Sequence, residues 1–110
     1  MQKGVDVLSH WGGKNGRRNN PDAENNMLGL LAKWRQAGLL VAWTLHNSRE
    51  ADSPLKLSET GGELKPGFEI CDHDIVIEKD VNSGFIGTNL NGILNDLNVT
   101  SLLFAGMTTN

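Results

Sequence analysis

The sequence predicts an α/β fold built on a parallel sheet. Three observations carry this expectation. Met27, Leu30, Leu31 and Trp34, and later Leu90, Ile93, Leu94 and Leu97, fall at i, i+3, i+4 and i+7, the spacing of a helix with one apolar face. Two apolar runs, 39–45 and 75–77, do not alternate with polar residues, which is the habit of strands buried on both faces. Helix-like and strand-like segments also alternate along the chain, the order expected of a doubly wound sheet.

Residues 1–20 read as a loop rich in Gly, Asn and basic residues, with Val5, Val7, Leu8 and Trp11 as anchors. Asn20 is a good N-cap, Pro21 suits the first helical position, and Asp22 and Glu24 face the positive end of the helix dipole. Gly38 is placed to stop that helix. The run 39–45 follows as a strand. Residues 46–74 carry Pro54, Gly61, Gly62, Pro66 and Gly67 and show no helical period. A connection that long is usually functional or poorly ordered. A strand at 75–77 ends at Glu78 and Lys79, Thr88 caps the second helix, Asn98 ends it, and 101–105 reads as a third strand. A right-handed crossover would set the last two strands parallel. The first helix has no strand before it to complete its βαβ unit, so the sheet reads as truncated at both ends.

A chain of 110 residues fits one domain. The net charge of −3 leaves nucleic-acid binding without electrostatic support. The basic groups Lys14 with Arg17 and Arg18, and Lys33 with Arg35, read as solvated faces. The single cysteine, Cys71, excludes an intrachain disulfide; placed before a strand, it reads as a half-buried structural thiol. No apolar run approaches the ~18 residues of a membrane span. With no signal-peptide pattern, the expected location is cytoplasmic.

Ligands of open parallel sheets bind beyond the carboxyl ends of the strands. That rule gathers His46 and Asn47, residues 79–85, and residues 106–110. Lys79 stands out, because a lysine at the lip of a buried strand loses hydration and can polarise a substrate or stabilise an anion. From spacing alone, a snorkelling or ion-paired lysine at a strand end is the more ordinary reading. The glycine-rich stretch 12–16 lacks the ending of a phosphate loop. Residues 80–91 begin like a calcium loop but have Phe85 at the sixth position and Asn91 at the twelfth. Cys71, Asp72, His73 and Asp74 are too close in sequence to converge on one ion. Neither a metal nor a cofactor is expected, and the expected partner is a small-molecule substrate.

Four segments together resemble the isochorismatase-like cysteine hydrolases. They are Arg-Asn-Asn-Pro-Asp-Ala-Glu at 18–24, Leu-His-Asn-Ser-Arg-Glu at 45–50, Glu-Lys-Asp-Val-Asn-Ser-Gly-Phe-Ile-Gly-Thr-Asn-Leu at 78–90, and Gly-Met-Thr-Thr-Asn at 106–110. The resemblance runs in order over nearly the whole chain. It implies a Rossmann-like, three-layer α/β/α domain of which residues 1–110 would be a part. It further implies an Asp-Lys-Cys triad that cleaves an amide-type C–N bond, or a related bond, through a thiolate acyl-enzyme. Lys79 matches the lysine. The aspartate would stand directly before Met1 and Gln2, and the cysteine shortly after Asn110. The chain is therefore expected to be an inactive fragment of a homo-oligomeric parent.

By the same resemblance, the peptide between Met107 and Thr108 is the cis bond that aims N–H groups at the oxyanion, and His46, Asn82 and Phe85 line the pocket. Nicotinamidases of this superfamily carry an Asp-x-His metal site. Here the residues are Thr44, Leu45 and His46, so the resemblance is to the metal-free members. A non-catalytic binding or scaffold protein of the same fold is the alternative. A flavodoxin-type nucleotide module would need a phosphate loop that the sequence lacks. Exposed sheet edges predict poor stability or aggregation of the isolated chain.

Overall fold

The computed structural model describes residues 1–11 and 19–107. It is a mixed α/β structure around a parallel pair of strands. In chain order come a 3-10 turn Lys3–Asp6, a one-turn helix α1 Leu8–Trp11, helix α2 Ala23–Gln36, strand β1 Ala42–His46, a 3-10 turn Thr60–Gly62, strand β2 Ile75–Lys79 and helix α3 Leu90–Asp96. β1 and β2 pair in parallel from Ala42 opposite Ile75 to His46 opposite Lys79.

Both helix stops follow from local chemistry. Gly38 has φ 68°, with its N–H donating to Arg35 O and the Leu39 N–H donating to Trp34 O. Asn98 has φ 55° and repeats the pattern, with Asn98 N–H to Asn95 O and Val99 N–H to Leu94 O. These are paired Schellman bonds around a left-handed residue, the conformation that Gly adopts freely and Asn tolerates. The starts lie slightly later than expected. The Asn20 side chain accepts the Asp22 N–H at 3.2 Å and α2 opens at Ala23. Thr88 donates to Gly84 O at 2.6 Å and accepts the Leu90 N–H at 3.3 Å, so it caps α3 from one residue before Asn89.

Paired residues of a parallel sheet share a face, and neighbours along a strand alternate. Ala42, Thr44, His46, Ile75, Ile77 and Lys79 therefore lie on one face. α3 packs there, with Leu90 and Leu94 buried against Ile77 and with Ile75, Ile93 and Val99 around them. Trp43 points to the opposite face, where its indole N–H donates to Asp74 at 2.7 Å. Arg35 of α2 grips the same carboxylate at 2.9 and 2.6 Å and also donates to Glu69 O. The two helices thus flank the strands as outer layers. The Asp74 side chain is 4% exposed, and the Arg35 guanidinium beside it holds its carboxyl far below the usual range.

Several expectations need correction. Residues 101–105 are not a strand: they run extended, but among the described residues no backbone hydrogen bond joins them to a neighbour, and Phe104 is 77% exposed. A strand needs a ladder partner as well as an apolar run. β1 begins at Ala42 rather than Leu39, and Leu39 and Leu40 are exposed because β1 has a neighbour on one edge alone. The amino-terminal segment is more than a loop: besides its two turns it buries Gln2, Gly4 and Val5, and an isolated bridge joins Gln2 to Leu64. Cys71 is exposed, since the turn closed by Asp74 N–H to Cys71 O sets it outside the sheet. Arg35 is no free surface cation but Asp74's partner, whereas Lys14, Arg17, Arg18 and the glycine-rich stretch lie outside the described residues.

The connection between β1 and β2 is ordered by its own bonds. Ser48 N–H donates to Leu55 O at 2.7 Å, Leu57 N–H donates to the Asn47 side chain at 3.1 Å, and Ser53 and Phe68 are buried. Gly4 and Gly61 both crowd the Pro54 carbonyl: a Cβ on either would lie 2.3 or 1.9 Å from its oxygen. Among the described residues no helix is long and apolar enough to cross a membrane.

Candidate functional site

β1 and β2 end in register at His46 and Lys79, on the face shared with α3. Lys79 Nζ lies 3.3 Å from His46 Nδ1 and donates to Val81 O at 3.0 Å. Among the described residues no carboxylate pairs with this ammonium. Burial pulls the Lys79 pKa below its ordinary value. Burial first, and the Lys79 charge second, pull His46 down as well, against the opposing effects of Asp80 and Glu50. The imidazole is accordingly neutral at pH 7 and offers Nδ1 as the acceptor. A half-buried lysine next to a neutral base is less solvated than a surface lysine, and so better able to stabilise an anion brought to it.

A hollow of about 780 Å³ opens beside this pair. His46, Lys79, Asn82, Phe85 and Met107 all line it. The loop that carries Asn82 and Phe85 folds tightly against β1: a Cβ on Gly84 would come within 2.7 Å of Thr44 Cγ2. Phe85 and Met107 are exposed. Thr108 lies outside the described residues.

Gln2 joins the site without having been singled out from sequence, where it served as a landmark beside Met1. Its amide is buried, at 7% exposure. Nε2 donates to His46 O at 2.9 Å and to Gly62 O at 3.0 Å, and Oε1 accepts the His46 N–H at 2.9 Å. Gln2 therefore fixes the backbone that carries the imidazole. A count of apolar and polar residues could not have found it, since Gln2 stands between Met1 and Lys3 in a stretch with no apolar period. Among the described residues no group of three His, Cys, Asp or Glu side chains is placed to hold a metal ion.

A parallel α/β sheet with a desolvated lysine at its carboxyl edge, facing a hollow, has the layout of an open, Rossmann-like α/β fold, in which ligands bind beyond the carboxyl ends of the strands. The isochorismatase domain model matches residues 1–110, and the chain belongs to the isochorismatase family. It is 36% identical over 106 residues to the isochorismatase family protein YrdC of Bacillus subtilis (strain 168), covering 96% of this chain and 57% of that one. An isochorismatase-family crystal structure from Chromobacterium violaceum superposes with a TM-score of 0.76 at 39% identity, covering 89% of this chain and 48% of that one. The N-carbamoylsarcosine amidase of Thermoplasma acidophilum gives a TM-score of 0.61 at 26% identity, covering 78% and 56%. The chain thus spans about half the length of these relatives.

Proposed function

We propose that this chain is the lysine-bearing part of a cysteine hydrolase that cleaves an amide-type C–N bond in a small molecule. The observation that carries the reading is Lys79: desolvated, without a carboxylate partner among the described residues, and held against the neutral His46 at the mouth of a hollow. The likeness to an amidase favours a C–N bond as the target. In the complete protein an aspartate preceding Met1 takes the thiol proton of a cysteine following Asn110. The Lys79 ammonium stabilises the thiolate. The thiolate adds to the carbonyl carbon, and the oxyanion is met by backbone N–H groups near Met107 and Thr108. The C–N bond breaks, the amine leaves with a proton, and water cleaves the thioester to release the acid. His46, Asn82 and Phe85 shape the substrate pocket. Residues 1–110 supply the lysine alone of this triad and turn nothing over by themselves. The complete protein works as a homo-oligomer in the cytoplasm.

Reading the coding sequence in frame past both ends tests the fragment: an Asp codon before Met1 and a Cys codon soon after Asn110 are expected. The longer protein is then assayed on a panel of small amides. Lys79→Met should lower kcat/KM by roughly 10²-fold or more. Turnover indifferent to Lys79→Met would overturn the mechanism. Ligand binding without turnover would make this the non-catalytic binding protein of the same fold.

A further inference from the structure

His46 is held at its backbone and at its ring. Its C=O accepts from Gln2 Nε2 and its N–H donates to Gln2 Oε1, both at 2.9 Å. On the other edge of the strand the next residue, Asn47, donates its N–H to Lys79 O at 2.7 Å. The ring is held at Nδ1, 3.3 Å from Lys79 Nζ. An ammonium has hydrogens to give and no lone pair to offer. The ring atom that faces it must therefore supply the lone pair, and the single proton of the neutral ring goes to Nε2. A protonated Nδ1 would set one N–H against another. The Val81 carbonyl also draws on the ring, but it already takes a Lys79 hydrogen at 3.0 Å. Asp80 and Glu50 favour a charged ring, and burial and Lys79 outweigh them. Among the described residues no well-aligned hydrogen bond engages Nε2, and the ring lines the hollow. A neutral donor of fixed tautomer, on a fixed backbone, is thus left without a protein acceptor at a ligand-sized hollow.

We propose that His46 is a ligand-binding residue whose Nε2–H donates to a carbonyl or carboxylate oxygen of the small molecule, with Lys79 fixing its tautomer and Gln2 fixing its backbone. The donor is built before any ligand arrives, so no rotamer or proton has to be rearranged when an oxygen is brought to it. The two side chains divide the work. Lys79 offers charge, and His46 offers direction from an uncharged ring, so that a neutral amide oxygen is held as well as an anionic one. In the hydrolase reading, on which the identity of this oxygen rests, it belongs to the acyl group of the amide or of the released acid. The tautomer itself does not depend on that reading.

The tautomer is read first, from long-range proton–nitrogen correlations of the unaltered chain at a pH above the His46 titration. A protonated Nε2 and a bare Nδ1 are expected. A protonated Nδ1, turned to Val81 O, would overturn the proposal. In Lys79→Met a share of the Nδ1–H form should appear, since Val81 O has then lost its partner; an unchanged tautomer counts against Lys79 as its cause. Benzamide and benzoate are then titrated separately and followed at the His46 ring and, in the variants, at the Lys79 and Asn82 amides. A response to benzamide identifies a neutral carbonyl, and a response to benzoate alone identifies a carboxylate; both support the donor. His46→Leu should weaken the responding ligand about fivefold, whereas His46→Gln, whose amide nitrogen reaches the place of Nε2, should hold it within about twofold. No response at the ring to either probe, or equal weakening by both variants, would sink the proposal. Turnover indifferent to Lys79→Met would instead remove the hydrolase reading and leave the tautomer standing.

Discussion

The Lys79 and His46 nitrogens share one face and one short distance, so the Lys79 charge adds to burial in lowering the His46 pKa. The folded pKa of His46 lies below its ordinary value, so its neutral form is favoured. An NMR titration should show this directly. In Lys79→Met the repulsion is gone, and the His46 pKa should move upward; an unchanged value would mean that burial alone depresses it. Gln2→Ala leaves the His46 N–H and C=O and Gly62 O without their amide partner, at a cost of about 2 kcal/mol in urea unfolding. Asp74 is the other residue on which much converges, with Arg35, the Trp43 indole and the Cys71 N–H all bonded to it. Its pKa is lowered in the fold, so the unfolded chain binds its proton more readily. That stabilisation is complete above the ordinary Asp pKa of about 4 and is lost as pH falls below it. Asp74→Asn should cost roughly 2–3 kcal/mol at pH 7, since Arg35 keeps some access to water. It should also flatten the acid limb of a stability–pH profile.

At the scale of elements, α3 holds the better-built half of the structure. Leu94→Ala should cost about 2–4 kcal/mol, because the buried cluster is small and its neighbours are pinned to β2. Gly84→Ala should cost about 1–3 kcal/mol and shift the 80–88 loop away from β1, read as amide shift changes at Thr44. Periodicity made both long helices legible, and Gly38 and Asn98 marked their ends because left-handed residues have few substitutes. β2 and its terminal Lys79 were equally plain. The apolar run at 101–105 misled, because composition announces that a segment can pair without saying what it pairs with. The run 39–45 misled in the same way at its first three residues. The bonds that order 46–74 are formed mainly between backbone groups and small polar side chains, and such bonds leave little pattern in a sequence.

Over the whole molecule, the two flanks of the strands differ in kind. α3 meets the sheet through buried side chains, whereas α2 buries none of its own residues and is held largely by Arg35 on Asp74 and by Lys65 on Glu24. The α2 amides should therefore exchange before those of α3 in native-state hydrogen exchange. Gly4 and Gly61 lock the amino-terminal turn to the long connection through the Pro54 carbonyl. With the same oxygen contacted from two sides, Gly61→Ala has no room to relax.

The exposed Cys71 also has a practical consequence. It is the chain's sole thiol and stands at the amino end of β2, the opposite end from Lys79. Five strand residues separate the two ends by about 15 Å. A fluorophore attached to Cys71 would be a single, stoichiometric label on the rigid part of the fold, far enough from the lysine to leave ligand access undisturbed. It would also be close enough for its emission to be quenched by Trp43, whose indole shares Asp74 with the Cys71 backbone.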